Sequence, residues 1–443
     1  MFPSAPPLSP RQRAIVWTCA LAGGLLRLIY VLVLHLPTQH VYSDMGGYVQ
    51  RALDRVAGKP EGIADSLYPP GASWLFAQLH ALDPNSGLTV IVQWLLSLGT
   101  MALVFVIARR LYGNRAAVLA LVAVTLYLPL FHYAGLFLAE NPFTFCLLAA
   151  YALLIAALEA PTPAGTLLLA AATGLMAGLA ASLKATILLP VALTGIVTIV
   201  WLLKQKRRGT LTLSFGVALG LATVLLPLSE RCTRLAEGQF CLVSTNTGMN
   251  ALMGHYGERG PFQWVDASRN ITFSFQSPSA TLRGYTAGAN FSFGAYDVPA
   301  NVAVLEREIA DHPLDALRLS LRNVADLVVG HTIWPAAVYG GHDWGAAYQI
   351  AFWILLLPAA SVWLLRRLPR MLRLREDTLA DWLLLTPLLG LALTAFVSLG
   401  EVRFRIPFDG FIIVLAAQGW LMLLRLRERH RPTAAPPPTV QRR

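Results

Sequence analysis

Residues 42–55 read YSDMGGYVQRALDR and come directly after the first long apolar segment. The stretch is too polar to cross a bilayer, yet its spacing is helical. Asp44 stands at its start, where a carboxylate is expected to cap exposed backbone amides. Tyr48, Arg51 and Arg55 follow at intervals of three or four residues and are expected to share one face with Asp44. An acid and two bases on a helix beside a membrane make either a capped amphipathic surface helix or the rim of an active site. The flanking chain decides between these readings.

Of the 443 residues, 56% are hydrophobic and only 13% are charged. That is about half the charged share of a soluble domain, and with a mean hydropathy of +0.56 it indicates a polytopic membrane protein. The net charge of +11 would suit a nucleic-acid partner. However, many of the bases lie in short clusters between apolar runs, which is a topology signal, and no nucleic-acid partner is expected. The opening MFPSAPPLSPRQR is expected to be a short cytosolic tail ahead of a full-length span rather than a cleaved leader.

Ten spans are expected, at about 14–36, 88–108, 116–133, 138–158, two within 166–203, then 211–228, 346–365, 379–400 and 406–424. The break within 166–203 falls near Ser182-Leu183-Lys184, and the small residues before it predict close helix packing. Residues 72–82 are apolar but too short to cross, so they predict an interfacial helix in the first outer loop. Four basic clusters then lie on one side: Arg109, Arg110 and Arg115; residues 204–208; Arg366, Arg367, Arg370, Arg373 and Arg375; and Arg425, Arg427 and Arg429. This places both termini in the cytosol. The organisation expected is a transmembrane module at 1–229 with the outer loop at 36–87, a non-cytosolic domain at 230–345, C-terminal spans at 346–430 and a disordered Pro-rich tail at 431–443.

The same topology gathers the acids and bases outside the cytosolic clusters on the non-cytosolic side. They are Asp44, Tyr48, Arg51 and Arg55; Glu140; Lys184; His255, Tyr256, Glu258 and Arg259; and Glu401, Arg403 and Arg405. Arg27 lies inside the first span, where a charge is costly unless it faces protein or a polar cavity. Cys232 and Cys241 fall in the non-cytosolic domain, a compartment that permits a disulfide, and are expected to pair. Carboxylates and bases at one membrane level suit a reaction on a lipid-linked phosphate. Arg or Lys would hold the phosphate, and a carboxylate would take the proton of an acceptor hydroxyl. Asp44 is the expected base.

Several separated segments resemble the GT-C superfamily of membrane glycosyltransferases, in the group of the protein O-mannosyltransferases and the lipid A aminoarabinose transferases. They are SDMGGYVQRALDR (43–55), YLPLFHYAGLFLAENPFTF (127–145), GLMAGLAASLKATILLP (174–190), STNTGMNALMGHYGERG (244–260), LEREIADHPLDALRLSLRN (305–323) and EVRFRIPFDGFIIVLAA (401–417). Their order and spacing cover nearly the whole chain. The resemblance implies a GT-C-type fold of about ten transmembrane helices, with sugar transfer from a polyprenyl-phosphate donor on the non-cytosolic face and inversion at the anomeric carbon. It implies that Asp44 is the general base and that Glu140 assists, binds the acceptor or contributes to a metal site. Lys184, Arg403 and Arg405 would meet the donor phosphate, and Asn250, His255 and Tyr256 would line the cavity, with Arg27, Tyr48 and Arg51 as further substrate contacts. Two departures stand out. GHYGERG lacks the Asn-Asn-Pro common at the domain entry. Met45 also occupies the place of the second acid of the protein mannosyltransferases.

The expected partners are the lipid-linked donor, membrane lipids and a lipid, glycan or protein acceptor. No cofactor is required by this chemistry, and a divalent metal has no clean ligand spacing to support it. A bacterial inner membrane with the site facing the periplasm is the expected location. A lipid or lipid-linked-sugar flippase and a non-catalytic envelope assembly protein remain as alternatives. The first would be expected to show inverted repeats and broken mid-membrane helices.

Overall fold

The computed structural model describes residues 2, 6–207, 209–256, 260–276, 288–330, 334–339 and 342–429. Helix α1 (Pro10–Ile29) opens on a capping box, in which the Gln12 N–H donates to Ser9 Oγ at 3.3 Å and the Ser9 N–H to Gln12 Oε1 at 3.0 Å. The outer loop carries α2 (Asp44–Val56) and α3 (Gly71–Leu82), the two non-spanning helices expected there. Then come α4 (Gly87–Tyr112), α5 (Asn114–Leu126), α6 (Leu128–His132), α7 (Glu140–Glu159), α8 (Pro163–Leu183), α9 (Leu188–Lys204) and α10 (Thr210–Leu235). After an intervening domain the chain continues through α14 (Trp344–Ala351), α15 (Leu357–Leu372), α16 (Leu379–Val397), α17 (Val402–Arg405) and α18 (Asp409–Arg429).

Among the described residues nine helical segments are long and apolar enough to cross a membrane. The stretch expected as a continuous third span is bent by 58° between α5 and α6, and counts as a tenth only if the pair is taken together. The 13 residues of α5 rise only ~20 Å, short of a ~30 Å hydrocarbon core. Tyr127 leaves helical geometry at the bend (φ −82°, ψ 88°), where its hydroxyl donates to Asp409 Oδ2 at 2.7 Å. Pro129 then starts α6, where its missing N–H costs nothing. The break between α8 and α9 falls at Lys184, as read from the sequence.

Small residues bring α8 and α10 into backbone contact. A Cβ on Gly220 would lie 1.9 Å from the Ala171 carbonyl oxygen, and one on Gly174 2.1 Å from that of Val217. At the basic end of the bundle Arg110 pairs with Glu159 at 2.9 Å, and Lys204 Nζ donates to the Arg373 carbonyl at 2.7 Å. The second contact brings two of the basic clusters, at 204–208 and 366–375, to one level.

The intervening domain holds α11 (Asn246–His255), β1 (Phe262–Asp266), β2 (Ile271–Phe275), β3 (Ala289–Phe291), α12 (Val298–Asp311), α13 (Pro313–Val329) and the short pair β4 (Val338–Tyr339) and β5 (His342–Asp343). In the sheet of order β2–β1–β3, β1 runs antiparallel to β2 and parallel to β3. Its aromatic core is Phe262, Trp264, Phe291 and Tyr296, closed by Met249 and Met253 of α11. Cys232 and Cys241 form a disulfide with Cα atoms 5.4 Å apart, fastening the end of α10 to the chain entering the domain. Glu258, Arg259 and the tail at 431–443 lie outside the described residues.

Candidate active site

Four chain breaks at the end of the bundle opposite the basic clusters supply one cluster of charge. Asp44 is the first residue of α2, Glu140 the first of α7, Lys184 the break after α8, and Arg403 lies in α17. Arg403 Nη1 donates to Asp44 Oδ2 at 2.9 Å, and its Nε donates to Glu140 Oε1. Lys184 Nζ donates to the same Glu140 oxygen at 2.8 Å. Arg403 also lies 4.4 Å over the Trp334 ring, and Lys184 5.3 Å from the Phe404 ring centre. Glu140 is wholly buried, and its Oε2 has no hydrogen-bond partner among the described residues.

The expected capping role of Asp44 is not what the structure shows. Its side chain makes no cap; Ser43 is the N-cap residue, and Asp44 reaches Arg403 instead. Ser43 has φ 51°, a conformation that side chains rarely adopt and that a neighbouring site often explains. Arg403 offers the Asp44 carboxylate a full opposite charge, whereas a cap would offer only amide dipoles.

Asp44, Lys184 and Arg403 line a cavity of about 400 Å³ together with Ser43, Tyr48, Tyr68 and Asn250. One wall is apolar, from Leu188 and Leu189 of α9 and Leu391 and Ala395 of α16. Burial first, then the Glu140 and Asp44 charges, push the Tyr48 hydroxyl up, so it remains a neutral donor at physiological pH. A pocket with a cationic floor, the carboxylates of Asp44 and Glu401 in its lining and an apolar wall can hold a lipid-linked anion and remove a proton beside it.

Other expected contacts lie elsewhere. Glu140 sits behind Lys184 and Arg403 and does not line the cavity. Arg27 is a packing strut: it donates to Ser97 Oγ at 3.1 Å and to the carbonyls of Gly23, Val124 and Thr125 at 2.9–3.2 Å. Arg405 is buried against Asp409 at 2.9 Å, the Leu327 carbonyl at 3.0 Å and Gln349 at 2.9 Å. His255 donates from Nδ1 to the Ala251 carbonyl and accepts at Nε2 from Ser320, both at 2.8 Å, which ties α11 to α13. Tyr256 packs edge-on to Phe262 and Phe291 in the domain core. Arg51 turns away to a second pocket, over the Tyr48 and Tyr68 rings at 5.2 and 4.7 Å. Tyr68 and Trp334 were missed as cavity residues; only the rigid Pro69-Pro70 turn after Tyr68 hinted at a fixed position.

Arg403 engages one oxygen of each acid, Asp44 Oδ2 and Glu140 Oε1, and Lys184 shares the Glu140 oxygen. Among the described residues no group of three or more His, Cys, Asp or Glu side chains is arranged to hold one.

Comparison with known proteins agrees with the fold. Residues 68–230 match the family model described as dolichyl-phosphate-mannose-protein mannosyltransferase, a segment that includes Glu140 and Lys184. The Archaeoglobus fulgidus oligosaccharyltransferase in its apo form superposes with a TM-score of 0.52 at 14% identity, over 96% of this chain and 53% of that one. The Archaeoglobus fulgidus oligosaccharyltransferase AglB in complex with an inhibitory peptide and a dolichol-phosphate gives 0.51 at 12% identity, over 96% and 52%. ArnT from Cupriavidus metallidurans bound to undecaprenyl phosphate gives a lower score of 0.40 at 16% identity, over 94% and 78%. The chain thus spans about half the length of the oligosaccharyltransferases it matches. No curated protein sequence matches. The chain is a polytopic membrane protein with the fold of the Archaeoglobus fulgidus oligosaccharyltransferases, and its residues 68–230 are similar to the dolichyl-phosphate-mannose-protein mannosyltransferase family model.

Proposed function

We propose that the protein is an inverting glycosyltransferase that moves a sugar from a polyprenyl-phosphate donor to a hydroxyl acceptor on the non-cytosolic face of a bacterial inner membrane. The observation that carries this reading is the single cavity that joins Asp44 to Arg403 and Lys184 beside an apolar wall. The donor phosphate sits against Arg403 and Lys184, and its prenyl chain follows the apolar wall. Asp44 takes the acceptor proton as the acceptor oxygen bonds to the anomeric carbon. The carbon–oxygen bond to phosphate breaks, and the leaving phosphate keeps the electron pair against the two cations. Glu140 is a positioning residue that holds both cations. They supply the charge that a metal would otherwise supply, so transfer continues in EDTA; loss of activity in EDTA with recovery on added metal would contradict this.

In detergent or nanodiscs, Asp44→Asn removes the base and is expected to lower kcat by about 10²–10⁴-fold, the range for general base catalysis. The assay is release of polyprenyl phosphate from a panel of lipid-linked sugars. Wild-type turnover in folded D44N refutes the mechanism. If wild type releases polyprenyl phosphate from none of the donors, the enzymatic reading fails.

A further inference from the structure

On the other side of Tyr68 from the transfer cavity lies a second pocket of about 110 Å³, between α2, α3 and the end of α10. Tyr68 lines both pockets. This volume is well under the ~300 Å³ at which pockets for whole small ligands begin, so it takes one functional group. Its charged lining is Arg51, Arg55, Lys59 and Arg231 against Asp54, Glu61 and Asp65.

The carboxylates are already engaged. Glu61 receives Arg231 Nε and Nη2, each at 2.9 Å, and Arg55 Nη1 at 3.2 Å. Asp54 receives Gln50 and Lys59 at 2.9 and 2.7 Å. Asp65 receives the Gly62 N–H at 2.8 Å. The donors are in surplus. Arg231 has only 9% of its side chain exposed, and its Nη1 is buried without a hydrogen-bond partner among the described residues. Among the described residues Arg51 donates through Nε alone, to Ser73 Oγ at 3.3 Å, while its guanidinium lies near the Tyr48 and Tyr68 rings. Arg55 and Arg231 both lie over the Trp74 ring, at 5.0 and 5.4 Å. A guanidinium carries five N–H donors, and a buried one left unmatched costs ~1–3 kcal/mol. Three guanidinium groups with spare N–H bonds, in a lining of four cations against three carboxylates, make an oxyanion site.

We infer that this pocket binds a phosphate group, carried by the acceptor or by a membrane lipid, next to the transfer cavity. The pocket's affinity for phosphate stands on its own donors. Only its service to an acceptor rests on the transferase reading. A phosphate anchored here puts the rest of its molecule across Tyr68 from Asp44, which restricts acceptors to those with an anionic group near the receiving hydroxyl.

The test is binding of inorganic phosphate to the full chain in phosphatidylcholine nanodiscs, read by titration calorimetry. Wild type is expected to show a phosphate site that survives in Arg403→Gln, whereas Arg51→Gln/Arg55→Gln loses about tenfold or more at that site, the worth of a charged hydrogen bond. If the double variant does not fold, Arg51→Lys alone serves; it keeps the charge, loses the guanidinium fork and is expected to show a similar loss. Nanodiscs containing phosphatidylglycerol separate the sources. Competition with inorganic phosphate supports a lipid headgroup, and no competition supports an acceptor or free phosphate. Phosphate binding that survives in R51Q/R55Q and disappears in R403Q puts the anion in the transfer cavity and overturns the inference, as does the absence of phosphate binding in wild type. Phosphate binding at this pocket is read without turnover, so a failed transfer assay leaves this result intact.

Discussion

Replacing Arg403 by glutamine removes the guanidinium that joins Asp44 to Glu140. Its side chain is 11% exposed, and Glu140 is not exposed at all. Stranding one member of a buried ion pair costs ~3–5 kcal/mol. Lys184 stays on Glu140 at 2.8 Å, so the lower end, about 3 kcal/mol, is expected for R403Q. In the double variant E140Q/R403Q the buried Lys184 loses its carboxylate as well, so the double variant is expected to be less stable than R403Q by ~1–3 kcal/mol, the size of coupling between contacting residues. For turnover, loss of one fixed donor to the leaving phosphate is expected to lower kcat by about 10²–10³-fold. Arg403→Lys keeps the charge, but Arg403 engages two carboxylates through different nitrogens, Nη1 and Nε, a fork that one ammonium does not reproduce. R403K is therefore expected to fall between wild type and R403Q. Denaturant unfolding in detergent gives the first quantity, and polyprenyl phosphate release per folded molecule gives the second. If R403Q keeps the wild-type rate, or if E140Q/R403Q is more stable than R403Q, the bridging argument is wrong.

Two further outcomes follow from the same geometry. Arg405→Gln strips a buried network of Asp409, Gln349 and the Leu327 carbonyl and is expected to cost ~3–5 kcal/mol without changing KM for the donor; a raised KM in the folded variant would instead indicate contact with substrate. The Glu61 carboxyl gives a pH dependence. Burial pushes its pKa up, but the hydrogen bonds and charge of Arg231, with the charge of Arg55, more than reverse this, so it ends lowered. Its contribution to stability is then full above the unfolded pKa of about 4.3 and is lost as pH falls through the lower folded value. Glu61→Gln is expected to flatten unfolding free energy against pH on that acid side; an unchanged slope refutes the assignment.

Much of the architecture is visible without coordinates because a bilayer leaves few options. Long apolar runs must be helices, and bases cluster on the cytosolic side. Together these two rules put Asp44, Glu140, Lys184 and Arg403 at one level from sequence alone. They also locate the non-spanning helices, since the apolar stretch after Gly71 is too short to cross. What they lack is rotation about each helix axis and the fate of each hydrogen bond. Arg403 and Arg405 look equivalent in EVRFRIPF, yet residues two apart on a helical turn face different ways. Arg403 meets the cavity, and Arg405 meets Asp409 four residues on. That four-residue spacing was the sign in the sequence that Arg405 is structural.

The stretch at 42–55 shows the same division. Its sequence determined a short helix between spans, away from the basic clusters, with an acid first and bases along one face. Tertiary structure decided what that face does. Arg403, 359 positions away in the chain, draws the Asp44 carboxylate off its own helix end. Tyr68 then divides the face, leaving Asp44 and Tyr48 in the transfer cavity and Arg51 and Arg55 in the second pocket. Periodicity fixes direction within one helix, but which direction meets a partner depends on packing between distant elements, and local spacing carries no record of that.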